Sequence, residues 1–382
     1  MITLNSADSV LKSFYLDAIS DSLNYKSNPF FAKIERTAGD VVGKDVRKVV
    51  RSGFNGGVGA GTETGDLPSA QTSDYKTFIA PLKNIYGTIE ISDKALRASA
   101  NNEGAFVNIL NEEMKALEKS AAFNFSRMLF GDGTGVLSTV KEIMTGLISV
   151  SAVENFAEGM LVTFEGLGEE FACCKIKTVN RWAGEIVLEQ AFEDSQIPSG
   201  TPIRLYGSQG DEMTGLKAIF SENPLYGVKR NLPGMLPYTA TSATLNETVI
   251  QTAIDHVEEK SGCKVDFILC SWGVRRALVE YYSSLGKVMP TIELEGGNTA
   301  LSFNGIPVVA DRFCPKGTMY LLTSENFKIH QLCDWQWLEA EDGKILKQVS
   351  GKPVYQATLV KYAELICQNP AAQARISNIT EK

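Results

Sequence analysis

Between residues 99 and 130 the apolar residues Phe106, Leu110, Met114, Leu117, Ala121, Phe125 and Met128 recur at spacings of 4, 4, 3, 4, 4 and 3. That spacing keeps one apolar stripe on a single helix face for about six turns. Asn101 or Asn102 can cap its start, Glu103 sits in its first turn, and Gly131-Asp132-Gly133-Thr134-Gly135 ends it. At ~1.5 Å per residue such a helix is on the order of 45 Å long. It serves as a spine on which other elements rest, and any fold for this chain must be built along it.

What precedes the spine is equally unusual. Residues 1–26 show an amphipathic helical pattern (Val10, Leu11, Phe14, Ile19, Leu23) that Asn28-Pro29 should stop. Residues 40–52 alternate in part (Val42, Val46, Val49) as a strand does, and Tyr75–Ser92 forms a second strand pattern with Phe78, Leu82, Ile85, Ile89 and Ile91. Between them lies Gly53-Phe54-Asn55-Gly56-Gly57-Val58-Gly59-Ala60-Gly61. Strand, glycine-rich loop and strand describe an extended hairpin with a flexible tip. Loops this long tend to be functional or disordered.

After the spine, short β-like runs broken by Gly166-Leu167-Gly168, Ala183-Gly184 and Ser199-Gly200 suggest a small barrel or sandwich over 147–210. Residues 215–243 are loop-rich, with Pro224, Pro233 and Pro237. From 244 the pattern is α/β: a helix to Ser261 closed by Gly262, a buried strand Asp266–Ser271, a helix Gly273–Leu285, and strands Ile306–Ala310 and Met319–Thr323. Lys344–Cys367 reads as two long strands joined by Ser350-Gly351-Lys352-Pro353. The class is α+β. The expected units are an N-terminal arm (1–39), the extended hairpin (40–92), a peripheral domain with the spine helix (93–146), a β-rich inserted domain (147–210), an α/β domain (211–337) and long strands returning to the peripheral domain (338–382).

Composition narrows the function. Hydrophobic residues make up 44% of the 382, enough for a sizeable core. A net charge of -8 argues against a broad surface for phosphate backbones, and Arg47, Lys48 and Arg51 are as well explained by a solvated strand face. The seven cysteines are odd in number and contain no C-x-x-C pair, which disfavours a disulfide framework or zinc ribbon and fits a reducing cytoplasm. No apolar run approaches the ~18 residues of a membrane span, and no signal peptide pattern opens the chain.

A search for chemistry finds none. His256 and His330 lack further ligands at metal spacing. Gly53–Gly61 has neither the Lys-Ser/Thr nor the following helix of a phosphate loop, and Gly131–Gly135 does not match a calcium loop. Glu112-Glu113, Glu169-Glu170 and Glu258-Glu259 read as solvated faces. Trp335 and Trp337 read as core or interface anchors rather than a cofactor stack. Only a shared α/β unit would join Cys270 to His256 as a dyad. No catalytic, cofactor or metal residue is expected.

The order of these segments resembles the tailed-bacteriophage major capsid protein family, with its Hong Kong 97-type capsid fold. So do particular stretches: Gly56-Gly57-Val58-Gly59 followed by Glu63 and Leu67-Pro68; Tyr86-Gly87-Thr88-Ile89-Glu90-Ile91-Ser92; Leu216-Lys217-Ala218-Ile219-Phe220 with Leu225-Tyr226-Gly227; Gly305-Ile306-Pro307-Val308-Val309; and Tyr355-Gln356-Ala357-Thr358-Leu359-Val360. The resemblance implies that the hairpin is the extended E-loop, the spine helix and final strands the peripheral domain, and residues 244–337 the axial domain near the capsomer centre. It implies a homo-oligomer of hexamers and pentamers forming an icosahedral virion shell around packaged double-stranded DNA. The shell would be assembled in the bacterial host cytoplasm, with a portal at one vertex and weak non-specific contact with the DNA. The absence of a long helical segment before the arm implies either a separate scaffolding protein, which Met1 favours, or a mature sequence. Lys76 or Lys83 could be offered as a cross-linking lysine. The assembly contacts expected at the hairpin tip are Phe54, Gly56, Gly57, Glu63, Leu67 and Pro68. Two other readings compete: an encapsulin-like nanocompartment shell, and an α/β enzyme of unknown activity.

Overall fold

In a computed structural model that describes residues 28–51, 53, 55–94, 103–232, 234–294, 298–339 and 343–382, the spine helix runs Glu103–Met128, about 39 Å. The candidate caps, Asn101 or Asn102, and the helix expected over 1–26 lie outside the described residues. Of the apolar stripe, Met114, Ala121, Phe125 and Met128 are buried and Leu117 is half-buried. Asn28-Pro29 opens a short helix. The Asn28 side chain accepts the Phe31 N–H at 2.9 Å, and Pro29 takes the first helical position of Pro29–Lys33, where its missing N–H costs nothing. That short helix drives Phe31 edge-on into Phe125 of the spine, centroids 5.2 Å apart, and Phe30 edge-on into Phe327 at 5.4 Å.

The spine lies on a sheet centred on Val354–Cys367, one long strand where the sequence suggested two. Only Lys347–Gln348 forms before the Ser350–Pro353 turn. Val354–Cys367 pairs antiparallel with Phe327–Trp337 on one side and Lys83–Ser92 on the other, and Glu35–Thr37 adds a parallel edge strand beside Phe327–Trp337. Lys83–Ser92 therefore leaves the hairpin at Leu82 and joins the body, correcting the expectation of one strand from Tyr75 to Ser92. Gly87 lets that strand approach the spine, since a Cβ there would stand 2.9 Å from Leu117 Cδ1. Phe327–Trp337 also belongs to this sheet and not to the α/β unit in which its sequence position placed it. Trp335 and Trp337 are buried, Trp335 packing edge-on against Phe125 at 6.1 Å.

Residues 136–205 close into a barrel whose strands run in the order Glu185–Leu188, Leu147–Val150, Val136–Met144, Pro202–Leu205, Leu161–Phe164 and Cys174–Asn180. The period-2 alternation of these runs turns Ile148, Val162, Ile176, Ile186 and Ile203 into its interior. A buried, two-pronged ion pair ties barrel to spine: Arg127, in the last helical turn, donates to both carboxylate oxygens of Glu212 at 2.5 and 2.9 Å, and both side chains are 3% exposed. Beside it Gly215 admits the chain where a Cβ would collide with the Met128 carbonyl oxygen.

The α/β unit is a sheet ordered Tyr238–Thr241, Ala374–Ser377, Met319–Leu322, Phe267–Cys270, Ile306–Ala310, Asn298–Phe303 and Thr291–Leu294. The helix Glu247–Ser261 covers it with Ile250, Ala253, Ile254 and Val257. Asn246 caps its start, and Gly262 ends it at φ +68°. The helix Trp272–Ser284 is capped by Ser271. Ala374–Ser377 is a correction to the assignment of 338–382. After the long strand, the chain crosses back and inserts between Tyr238–Thr241 and Met319–Leu322. Its end docks on the same unit, with Gly317 N–H donating to Glu381 Oε1 at 2.7 Å.

Burial pushes the Glu364 carboxyl from its ordinary 4.5 up to about 7, although it accepts the Thr214 N–H at 2.7 Å and the Leu365 N–H at 3.1 Å. Between those two values the folded state holds a proton that the unfolded state has released, so rising pH costs stability there. The loss is complete above the folded value. Glu364→Gln removes this loss. In urea unfolding at pH 5 and pH 8, the variant should gain on the parent by up to about 3 kcal/mol at the higher pH. An unchanged difference between the two pH values would contradict the assignment.

Candidate assembly surface

The hairpin is anchored to the body at its base. Asp45–Arg51 pairs antiparallel with Tyr75–Pro81, from Asp45↔Pro81 to Arg51↔Tyr75, and Val41–Val42 flanks the first strand. Alternation gives this ribbon two faces. Val46, Phe78 and Ala80 are buried toward the body, while Arg47, Val49, Arg51, Tyr75 and Ile79 face outward.

The anchor is Tyr226. Leu225–Val228 is a tight turn with φ +50° at Tyr226 and +78° at Gly227, a pair of values that matches a type I′ turn. From it the Tyr226 carbonyl accepts the Ile79 N–H at 3.0 Å, and the Tyr226 ring packs on Phe78 at 5.3 Å. The hydroxyl donates to the Leu365 carbonyl at 2.9 Å and accepts the Cys367 N–H at 3.1 Å. One side chain thus pins the hairpin base to the long strand. Tyr226→Phe should cost about 1–3 kcal/mol by orphaning two buried backbone groups. A change under about 0.5 kcal/mol in chemical denaturation would refute the anchor.

Beyond Arg51↔Tyr75 the two arms stay side by side without a regular ladder. Gly53 faces Asp74, Gly56 faces Gln71, Gly59 faces Pro68 and Gly61 faces Asp66, and the Gly65 N–H donates to the Thr62 carbonyl in the end turn. At Gly57 the approach is tight, because a Cβ would stand 3.1 Å from the Gln71 nitrogen, and its N–H donates to Asn55 Oδ1 at 2.8 Å. Of the expected contact residues, Gly56, Glu63 and Pro68 are exposed, Gly57 is half-buried, and Leu67 is 90% exposed. Phe54 lies outside the described residues. Val58, not singled out from sequence, is 87% exposed. Among the described residues, the tip thus holds two large apolar side chains, Val58 and Leu67, out in solvent.

The remaining candidates have other partners. Lys83 donates to the Gly210 carbonyl at 2.7 Å, and Lys76 is half-buried. His256 stacks on Tyr238 at 4.3 Å, while Cys270 is buried and donates to the Val309 carbonyl, so no contact joins them as a dyad. His330 Nδ1 bonds the Gly39 carbonyl at 2.8 Å. Among the described residues, no three His, Cys, Asp or Glu side chains are grouped to hold a metal ion, and no helix is long and apolar enough to cross a membrane.

No family model and no curated protein matches the sequence. Among solved structures, the chain is similar to the subunit of the cyanophage A-1(L) capsid, at 13% identity and a TM-score of 0.56, covering 93% of each chain. The capsid of an empty GTA particle gives 12% identity and 0.49, covering 91% of this chain and 88% of that one. The holo-SrpI encapsulin of Synechococcus elongatus PCC 7942 gives 11% and 0.47, covering 93% and 89%.

Proposed function

We propose that this chain, which has the Hong Kong 97-type capsid fold, is the major capsid protein of a tailed bacteriophage, a structural subunit and not an enzyme. It forms hexamers and pentamers that close into an icosahedral shell around packaged double-stranded DNA. The observation that carries this reading is the end-to-end likeness to the cyanophage capsid subunit, with 93% of both chains covered. The projecting ribbon supports it, because exposed Leu67 and Val58 make poor sense on a monomer. By the same reading the hairpin is the E-loop, the spine and long strands are the peripheral domain, and the seven-strand α/β unit is the axial domain. A separate scaffolding protein guides assembly and a portal occupies one vertex.

Contact with the genome is weak and independent of sequence, because a net charge of -8 leaves no broad cationic lining. Sedimentation velocity over a rising concentration series, with and without the scaffolding protein, tests the proposal. Discrete oligomers consistent with pentamers and hexamers, followed by fast-sedimenting closed particles, are expected. A monomer at every concentration under both conditions overturns it.

A further inference from the structure

We propose that the seam between the barrel and the α/β unit is a pH-operated latch, closed while the buried carboxyls of Glu154 and Asp311 hold their protons and opened as rising pH removes them. The latch belongs to the single subunit, assembled or not.

Three separate segments build the seam. On the barrel side stands the single turn Val153–Asn155, whose Glu154 lines a cleft of about 240 Å³ together with Phe313 and Pro315 of the α/β unit. On the other side, the loop after Ile306–Ala310 carries Asp311, which is 2% exposed. Its N–H donates to the Cys270 carbonyl at 3.0 Å, and its Oδ1 accepts the Phe313 N–H at 2.9 Å. From the third segment, Glu381 accepts from the Ser271 hydroxyl and the Gly317 N–H. All three acids lie within electrostatic reach of the buried Cys314 thiol.

Two of these carboxyls are incompletely satisfied. Glu154 Oε2 and Asp311 Oδ2 are closed off from water and have no hydrogen-bond partner. No ion pair reaches Glu154, Asp311 or Glu381 among the described residues. The cations around them are turned to other groups. Arg127 and Lys217 line the same cleft, but Arg127 is held by Glu212 and Lys217 by Asp132. Lys316 and Arg181 attract Glu154 only from exposed positions, Arg181 donating to the Phe156 carbonyl at 2.9 Å, while Glu381 opposes them. Arg312, next to Asp311, lies over the Phe123 ring at 4.9 Å. Arg275 acts on the Cys270 thiol, which burial pushes up to about 12, and burial raises the Cys314 thiol as well, so neither thiol titrates near neutral pH. A carboxylate in such a seam loses its hydration without a compensating partner. Burial accordingly holds the Glu154 pKa above its ordinary 4.5 and pushes Asp311 from 3.8 up to about 7.

While the seam is closed, Asp311 keeps its proton up to about 7; in an open seam the carboxyl meets water and ionises near 3.8. Closure is therefore most favourable below the lower value. It weakens by about a factor of ten per pH unit between the two and levels off above the higher one. Glu154 adds to the loss in the same direction.

Hydrogen exchange on the intact subunit tests the latch. With the intrinsic pH dependence of amide exchange removed, exchange at 153–156 and 311–316 should rise at least about tenfold from pH 5.5 to pH 8, relative to the core strand Met319–Leu322. Glu154→Gln with Asp311→Asn keeps neutral side chains of nearly the same shape at both pH values. Its seam should exchange like the parent's at pH 5.5 and about tenfold more slowly than the parent's at pH 8. A parent seam whose exchange is the same at the two pH values overturns the latch by itself, whether or not the variant folds. So does a variant seam that loosens with pH as much as the parent's.

Discussion

Replacing residues 52–74 with Asn-Gly should give a subunit that folds normally and forms no closed shells. The ladder ends at Arg51↔Tyr75, and a two-residue Asn-Gly loop is the connection that antiparallel strands of this twist accept most readily. The excised segment contributes nothing to the buried core among the described residues. Its large side chains Val58 and Leu67 point into solvent, and the neighbours of its glycines lie within the tip itself. The base stays held by Val46, Phe78 and Ala80 inside and by Tyr226 beneath. Folding should therefore lose little, and the unfolded chain sheds a segment whose ordering costs roughly 1–2 kcal/mol per residue. Assembly should lose far more, because every subunit of a closed lattice repeats the same contact. Native-like circular dichroism and a similar melting temperature, with no shells in micrographs, are expected. Shells of normal size would refute the tip's role, and an unfolded variant would mean that the tip packs within its own subunit.

Arg127→Met should destabilise the subunit by about 3–5 kcal/mol, among the largest effects available from one side chain. Arg127 and Glu212 are joined by two hydrogen bonds with almost no access to water. Removing the guanidinium strands a carboxylate in a low-dielectric interior. The pair also joins the spine to the segment leaving the barrel, so its loss should loosen the barrel from the body first, visible as faster amide exchange near Leu216. Arg127→Met with Glu212→Leu should recover most of the loss, since an apolar pair of similar volume carries no desolvation cost. A single variant within about 1 kcal/mol of the parent in urea unfolding would contradict this account.

The spine was legible because its seven apolar positions keep helical period without interruption, and the buried Met114, Ala121, Phe125 and Met128 occupy it as read. The hairpin was legible for the opposite reason, since nine residues with so few side chains cannot belong to a core. Its end was not. The apolar alternation of Phe78, Ala80 and Leu82 changes phase at Ile85, Ile89 and Ile91, a break the reading of one strand passed over, and pairing with Val354–Cys367 shows that Lys83–Ser92 belongs elsewhere. Ala374–Ser377 was invisible because its partners lie far away in sequence. Tyr226 stood out in sequence only as part of a resemblance. Its role depends on a left-handed backbone that no side-chain pattern encodes. The candidate surface was half legible: glycine content located the tip, but the exposure of Val58 emerges only in the fold.

Electron microscopy of the overexpressed full chain, alone and with its scaffolding protein, tests the central claim most directly. Closed particles of uniform diameter, built of ring-shaped capsomers, are the expected result. A field of dispersed subunits at high concentration in both preparations, from protein that melts cooperatively and is therefore folded, would contradict it.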